Sequence, residues 1–116
     1  MPDCIFCQIA AGQAPAEKVY EDETILAFKD LKPSAPIHLL IIPKQHLASI
    51  QATSEQEREL LGKLILTAKN LAAERKLTGY KLIFNVGKDG GQIIFHLHLH
   101  LLGGLKNGLE AKTVRL

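Results

Sequence analysis

The sequence predicts an α+β fold in which a mostly antiparallel sheet packs against one long helix. Three observations predict it. Apolar and polar residues alternate strictly within residues 95–104, which is the period of a β-strand. Residues 37–42 form an apolar run interrupted only by His38, as is typical of a strand central to a sheet. Between these segments, apolar residues recur at helical spacing as far as about Lys76.

Length and charge place the chain among ordinary small domains. Its 116 residues correspond to one domain, residues 1–116, with an irregular tail at residues 105–116. A net charge of +2 is too balanced to predict a nucleic-acid or membrane surface. No stretch approaches the length of a membrane span and no leader pattern is present, so we expect a cytoplasmic protein. Its two cysteines are then not expected to form a structural disulfide.

The first part of the chain is predicted to hold one short helix and two short strands. Apolar residues within positions 5–10 suit a helix. Residues 19–20 and 24–28 have the composition of strands, and an acidic turn joins them. Asp30 follows the second strand, and its spacing alone favours a turn or cap residue.

The long helix is predicted from its start signal and its apolar stripe. Ser54 with Glu57 three residues later has the capping-box pattern. Thr78 and Gly79 are predicted to end the helix, residues 80–86 to form the next strand, and residues 113–115 are a candidate last strand. The stripe that packs on the sheet consists of Leu60, Leu61, Leu64, Ile65, Ala68, Leu71 and Ala72.

The alternating segment carries most of the chemistry. Side chains alternate faces along a strand, so the leucines at 97, 99 and 101 share a face that we expect to be buried. The opposite face carries three histidines about 6.6 Å apart, His96, His98 and His100. Three explanations are open: an ordinary exposed face, a metal site, or acid–base and nucleophilic catalysis by imidazole. The last two can coexist.

Two further motifs point to ligands. Cys4-x-x-Cys7 is half of a zinc site, and the alternatives are reduced thiols or a redox pair, although no βαβ unit surrounds it. Residues 87–92 form a glycine-rich loop that can turn backbone N–H groups toward an anion. Because this loop leads directly into the histidines, phosphate chemistry is favoured, with the middle imidazole, His98, as the nucleophile.

The histidine segment resembles a known family. His96-Leu-His98-Leu-His100-Leu-Leu matches the His-x-His-x-His-x-x motif, with x apolar, of the histidine triad (HIT) superfamily. Residues 30–38, 42–46 and 85–104 extend the resemblance over nearly all of the chain. The two glycines after the triad resemble the branch of histidine triad nucleotide-binding proteins, which are purine nucleoside phosphoramidases. The resemblance implies a HIT-like fold with a five-stranded sheet, one long helix and a short N-terminal helix.

The resemblance also implies roles for individual residues. His98 would attack the α-phosphate of an adenosine-type nucleotide and form a nucleotidyl-histidine that water then hydrolyses. The other catalytic residues would be His100 and His38. The substrate-binding residues would be Phe28 and Leu31 at the base, Asp30 at the ribose, and Asn85, Gly91 and Gln92 at the phosphate. Ile93 stands where this branch usually carries a polar residue.

A structural zinc ion and a second copy of the chain are further implications. Relatives with the same Cys-x-x-Cys bind zinc through two cysteines and two histidines, which match Cys4, Cys7, His46 and His96. The family is homodimeric and joins its copies through the long helix and a sheet edge. Hydrolysis of nucleoside phosphoramidates or mixed AMP anhydrides is the leading hypothesis. The alternatives are dinucleoside polyphosphate hydrolysis, a nucleotide-binding interaction module, and a zinc-binding protein without catalysis.

Overall fold

A computed structural model describes residues 3–105 and places five strands in one sheet. The strand order is β1-β2-β3-β5-β4, and every neighbouring pair is antiparallel. The predicted α+β architecture is therefore confirmed. The helices and strands, in chain order, are α1 (Ile5–Ala10), β1 (Lys18–Glu21), β2 (Ile25–Lys29), β3 (Ile37–Pro43), α2 (Arg58–Glu74), β4 (Tyr80–Ile83) and β5 (Leu99–Gly103).

The two faces of the sheet bury different elements. On one face, alternate residues of the strands, such as Leu39 and Ile41 of β3, pack against α2. On the other face, Leu40 and Ile42 pack with Phe6 of α1. Because side chains alternate along β3 and β5, the predicted active-site histidines of these strands share the face that α1 partly covers.

The short N-terminal helix is capped by a cysteine. The Sγ atom of Cys4 accepts a hydrogen bond from the backbone N–H of Cys7 at 3.3 Å. Gly12 follows the helix with a φ of 76°, a left-handed conformation that favours glycine. Phe6 and Ile9 are the buried residues of this helix, so its packing, and not its length, fixes its position.

The long helix begins as predicted and ends differently. The reciprocal hydrogen bonds of Ser54 and Glu57 are present, and one 3₁₀ turn precedes the α-helix. The last helical residue is Glu74. Lys76, and not the predicted Gly79, adopts the left-handed conformation that follows the helix, with a φ of 56°. The N–H of Leu77 bonds the carbonyl of Ala72, which completes a Schellman motif. The predicted stripe is mostly buried, although Ile65 remains 44% exposed.

Two predicted strands are shorter than expected. β5 begins at Leu99, so residues 95–98 lie outside the regular ladder, and the N–H of Leu97 instead bonds the carbonyl of Leu47. β4 ends at Ile83, which pairs with His100. Beyond that pair β5 offers almost no partner residue, so β4 stops three residues before the predicted end at position 86.

The candidate strand at residues 113–115, and nearly all of the predicted irregular tail, lie outside the described residues. Within residues 3–105, no helix is long and apolar enough to cross a membrane.

Candidate active site and metal centre

All three motif histidines are buried. His96, His98 and His100 are 0%, 3% and 0% exposed, so an ordinary exposed face is ruled out. The leucine face is buried as predicted. The ring of Phe6 contacts His96 and His98 edge-on, at centroid distances of 5.9 and 5.1 Å. The N-terminal helix therefore packs directly on the triad.

A backbone donor fixes the proton of His38, the histidine on the neighbouring strand β3. The N–H of Ser34 donates to Nδ1 of His38 at 2.9 Å, so the ring proton lies on Nε2. That N–H then donates to Nδ1 of His100 at 2.9 Å, which places the His100 proton on Nε2. Asp30 lies beside this contact, with its Oδ2 3.4 Å from Nε2 of His38.

The middle histidine carries its proton on the other nitrogen. Nδ1 of His98 donates to the backbone carbonyl of His96 at 2.6 Å. Its Nε2 therefore bears the lone pair. A neutral imidazole in this tautomer is a nucleophile, whereas the neighbouring His100 presents an N–H donor.

Burial keeps the supporting histidines neutral. Burial, aided by the neighbouring His98 and His38, lowers the pKa of His100 to about 3. Burial also lowers the pKa of His38, although the carboxylate of Asp30 opposes this shift. At neutral pH both rings are uncharged, which agrees with the proton positions that the hydrogen bonds require.

A largely apolar cavity of about 250 Å³ opens beside this face of the sheet. Phe28 and Leu31 line it, and Leu31 is 89% exposed. The contact of these two residues with a base stays a prediction. Asp30 lies at its edge. The contribution of α1 to this cavity was not predicted, although the apolar residues beside the Cys-x-x-Cys indicate a helix that packs against the sheet. The wall from α1 consists of Ile5, Phe6 and Ile9.

The predicted phosphate loop is held by Gln92. Its side-chain oxygen accepts from the N–H of Gly87, and its side-chain nitrogen donates to the carbonyls of Ala48 and Ile94. Gly91 has a φ of 87°, and Asn85 lies two residues after β4. These contacts shape the loop. Contacts of Asn85, Gly91 and Gln92 with phosphate stay predictions.

The four predicted zinc ligands meet at one point. Cys4, Cys7, His46 and His96 each present one donor atom, and these atoms all lie within 4.8 Å of one another. Each Sγ lies 3.3 Å from a histidine Nδ1, and the two Nδ1 atoms are 3.2 Å apart. Tetrahedral zinc requires about 3.6 Å between sulfur and nitrogen ligands and about 3.4 Å between nitrogens. The donor set and its spacing therefore fit zinc.

The proton on His96 agrees with metal binding. Its Nε2 lies 2.8 Å from the backbone carbonyl of Pro43 and donates to it, so Nδ1 faces the cysteines with a free lone pair. Burial lowers the pKa of His96 to about 4, which keeps that ring neutral.

A second cluster, Asp30 with His38 and His100, also brings possible ligand atoms within 4.8 Å. It does not suit a metal. For Nε2 of His38 to bind a cation, the ring proton would have to move to Nδ1, where the N–H of Ser34 already donates. The cluster is therefore a relay in which His38 donates to His100 and the Asp30 carboxylate lies beside the donating nitrogen of His38.

A row of buried histidines on and directly before β5, beside His38 of the paired strand β3 and next to an apolar cavity, is the arrangement expected of the histidine triad class of proteins. The chain is similar to known proteins of this class. A family model described as "Scavenger mRNA decapping enzyme C-term binding" matches residues 3–113. A curated relative, Protein HitA of Neisseria gonorrhoeae, is 48% identical over 104 residues, covering 89% of this chain and 97% of that protein.

Solved structures agree in fold. A HIT family hydrolase from Legionella pneumophila Philadelphia 1 has a TM-score of 0.88 and 51% identity, covering 90% of this chain and 95% of its own. A Zn-bound histidine triad family protein from Mycobacterium smegmatis has a TM-score of 0.82 and 32% identity, covering 99% and 84% of the two chains. This chain belongs to the histidine triad (HIT) family.

Proposed function

We propose that the protein is a hydrolase that cleaves the P–N or P–O bond at the α-phosphate of adenosine-type nucleotides. Nucleoside phosphoramidates and mixed AMP anhydrides are its substrate class. The observation that carries this proposal is the tautomer of His98, whose Nδ1–H is bonded to the carbonyl of His96 and whose Nε2 bears the lone pair. A hydrolase from the same family is among the solved structures that it resembles.

The reaction has two displacements. The Nε2 lone pair of His98 forms a bond to phosphorus while the bond to the leaving group breaks, and the leaving group takes up one proton from solvent. Water then attacks the nucleotidyl-histidine, the bond between phosphorus and Nε2 breaks, one proton returns to solvent, and AMP and neutral His98 are released. The N–H on Nε2 of His100 donates to the phosphoryl group, and His38 holds that tautomer from behind.

The substrate sites follow the cavity. Phe28 and Leu31 contact the purine, Asp30 accepts from the ribose hydroxyls, and the loop around Gly91 receives the phosphate. Zinc at the two cysteines and two histidines is a closed four-ligand site, which supplies a structural crosslink and no open position for substrate. We also propose a cytoplasmic location, where cysteines that are not joined in a disulfide stay reduced and available to a metal.

The test is mass spectrometry of the protein quenched after mixing with an adenosine phosphoramidate. Wild type is expected to gain an adenylyl mass that maps to His98, and His98→Ala to gain none. His98→Asn is the matched control, because an amide retains a donor toward the His96 carbonyl but offers no nucleophile. Unchanged AMP release by either variant would refute the proposed nucleophile.

A dinucleoside polyphosphate is the second candidate substrate. The description of the matching family model names a decapping enzyme, which favours P–O cleavage, and Ile93, 62% exposed, offers no donor to an amine leaving group. The same quenched assay with diadenosine polyphosphates separates the two candidates. A nucleotide-dependent pulldown that His98→Asn leaves unchanged, without any AMP release, would favour the interaction module.

We further propose a homodimer joined through β4 and α2. β1 is an edge protected by charged residues and a register irregularity, whereas β4 exposes Tyr80 and Leu82 at the opposite edge. Ile65 and Leu66 of α2 are 44% and 57% exposed. If the sheet continues across the β4 strands of two copies, the backbone N–H and C=O groups at the edge of each copy gain hydrogen-bond partners.

A further inference from the structure

Among the buried side-chain atoms near the candidate active site, Oδ2 of Asp30 and Nε2 of His100 have no hydrogen-bond partner within residues 3–105. A buried polar group without a hydrogen-bond partner destabilises the folded protein. Such atoms in a candidate site are accordingly expected to meet a ligand.

The same two atoms lie at opposite ends of one relay. Oδ2 of Asp30 is 3.4 Å from Nε2 of His38, and that nitrogen donates to His100 at 2.9 Å. The relay is rigid. Its carboxylate accepts from the N–H of Lys32 at 2.8 Å through Oδ1, and the side chain is only 5% exposed. His38 is fixed from its other side by the N–H of Ser34.

We propose that Asp30 is a positioning residue for catalysis: through His38 it orients and polarises the N–H of His100. This inference rests on the proposed function and adds to it, because the residue expected to accept the ribose hydroxyls then also acts on the phosphoryl end. A negative carboxylate beside the His38 N–H strengthens that group as a donor and holds His100 in the tautomer that donates outward.

The substitution Asp30→Asn tests the effect of the negative charge beside Nε2 of His38. At this position Oδ1 accepts from the N–H of Lys32, and Oδ2 lies 3.4 Å from Nε2 of His38 without a hydrogen bond. An amide that keeps its oxygen on the Lys32 N–H places a neutral NH₂ group beside Nε2 of His38 in place of the negative oxygen. The variant removes the charge and keeps the size.

The first measurement is the imidazole ¹⁵N spectrum of the free protein. Wild type is expected to show His38 and His100 protonated on Nε2, and Asp30→Asn to shift the nitrogens of both rings. Glu23→Gln, which removes an exposed carboxylate from a turn, is the matched control and should shift neither ring. An Nδ1-protonated His38 or His100 in wild type would overturn the proposal, and so would unchanged ring nitrogens in Asp30→Asn.

The second measurement separates sugar binding from positioning. Turnover is compared for an adenosine phosphoramidate and its 2′,3′-dideoxy analogue, which lacks the hydroxyls. Asp30→Asn is expected to lower kcat by roughly 10–100-fold on both substrates. A rise in KM on the ribose substrate alone, with kcat unchanged on both, would mean that Asp30 only binds the sugar and would overturn the inference.

The two measurements can refute the proposed function and the role of Asp30 independently of each other. If wild type turns over neither substrate, the proposed function is wrong, and the ¹⁵N spectra still decide whether Asp30 acts through His38. If wild type turns over both substrates and the Asp30→Asn spectra are unchanged, the proposed function stands without the relay.

Discussion

Hydrogen bonds to backbone groups fix different tautomers in the histidines of this site. The Ser34 N–H places the proton of His38 on Nε2, and the His96 carbonyl places that of His98 on Nδ1. The Pro43 carbonyl turns the lone pair of His96 toward the cysteines. The backbone group that bonds one ring nitrogen therefore determines which nitrogen of each histidine carries the proton and which can act as a nucleophile or ligand.

Part of this arrangement could be predicted from the sequence. Alternation predicted which face each histidine takes, because strand period depends on backbone geometry alone. The protonated nitrogens could not be predicted, because Ser34 N–H and Pro43 C=O are groups that nearly every residue possesses. Spacing alone predicts a turn residue at Asp30, since the burial of this side chain beside His38 depends on the pairing of β2 with β3.

His100 should make stability depend on acid pH. Its pKa of about 3 lies below the unfolded value of 6.5, so the unfolded chain binds more protons between these values. Its contribution is complete above pH 6.5 and is lost as the pH falls toward 3. Between pH 7 and pH 5 we expect a loss of about 2 kcal/mol in the free energy of unfolding.

Chemical denaturation at several pH values measures this loss. His100→Asn keeps all four zinc donors, so the difference between variant and wild type isolates His100 from acid release of metal. Parallel stability curves for the two proteins from pH 7 to pH 5 would contradict the assignment.

At the scale of the element, helix starts were more predictable than helix and strand ends. The start of α2 could be predicted because its capping box depends on only two side chains, Ser54 and Glu57. The end of α2 depends on Leu77, which packs into the core and thereby leaves Lys76 in the left-handed conformation. Strand ends depend on partner length, which is why β4 stops where β5 begins.

Lys76→Gly is expected to stabilise the protein. A left-handed conformation costs a non-glycine residue about 1–2 kcal/mol, and the greater freedom of glycine in the unfolded chain offsets part of the gain. The expected net increase in unfolding free energy is about 0.5–1 kcal/mol by thermal or urea unfolding. Ala73→Gly, inside the same helix, is the control and should lose about 1 kcal/mol. A loss of stability in both variants would show that φ at residue 76 is not strained.

At the scale of the whole molecule, the four candidate zinc ligands come from segments that are distant along the chain. Cys4 and Cys7 belong to the N-terminus, His46 follows β3, and His96 precedes β5. We expect one zinc per chain by elemental analysis. A chelator should lower Tm by at least about 4 °C, equivalent to about 1 kcal/mol. Cys7→Ser should show the lower Tm already, with little further change on chelation. Protein without zinc and with a chelator-insensitive Tm would exclude the metal site.

The proposed dimer predicts a mass of twice the 12.7 kDa chain by light scattering. Leu82→Lys places a charge on the free edge of β4 and should yield monomers at micromolar concentration. Leu31→Lys is the matched control, since Leu31 is 89% exposed but lies in the loop after β2. Monomeric wild type, or dissociation in the control alone, would refute the interface.

The six-residue helix α1 borders two proposed ligand sites. Ile5, Phe6 and Ile9 form a wall of the apolar cavity, while Cys4, the N-cap of the helix, and Cys7 are two of the four candidate metal donors. A helix of this length does not hold its place by its own propensity. Metal and purine would then be thermodynamically linked ligands, each raising the affinity for the other by the same factor. The zinc supply of the cell would thereby set how tightly the nucleotide is held, without any change in the triad itself.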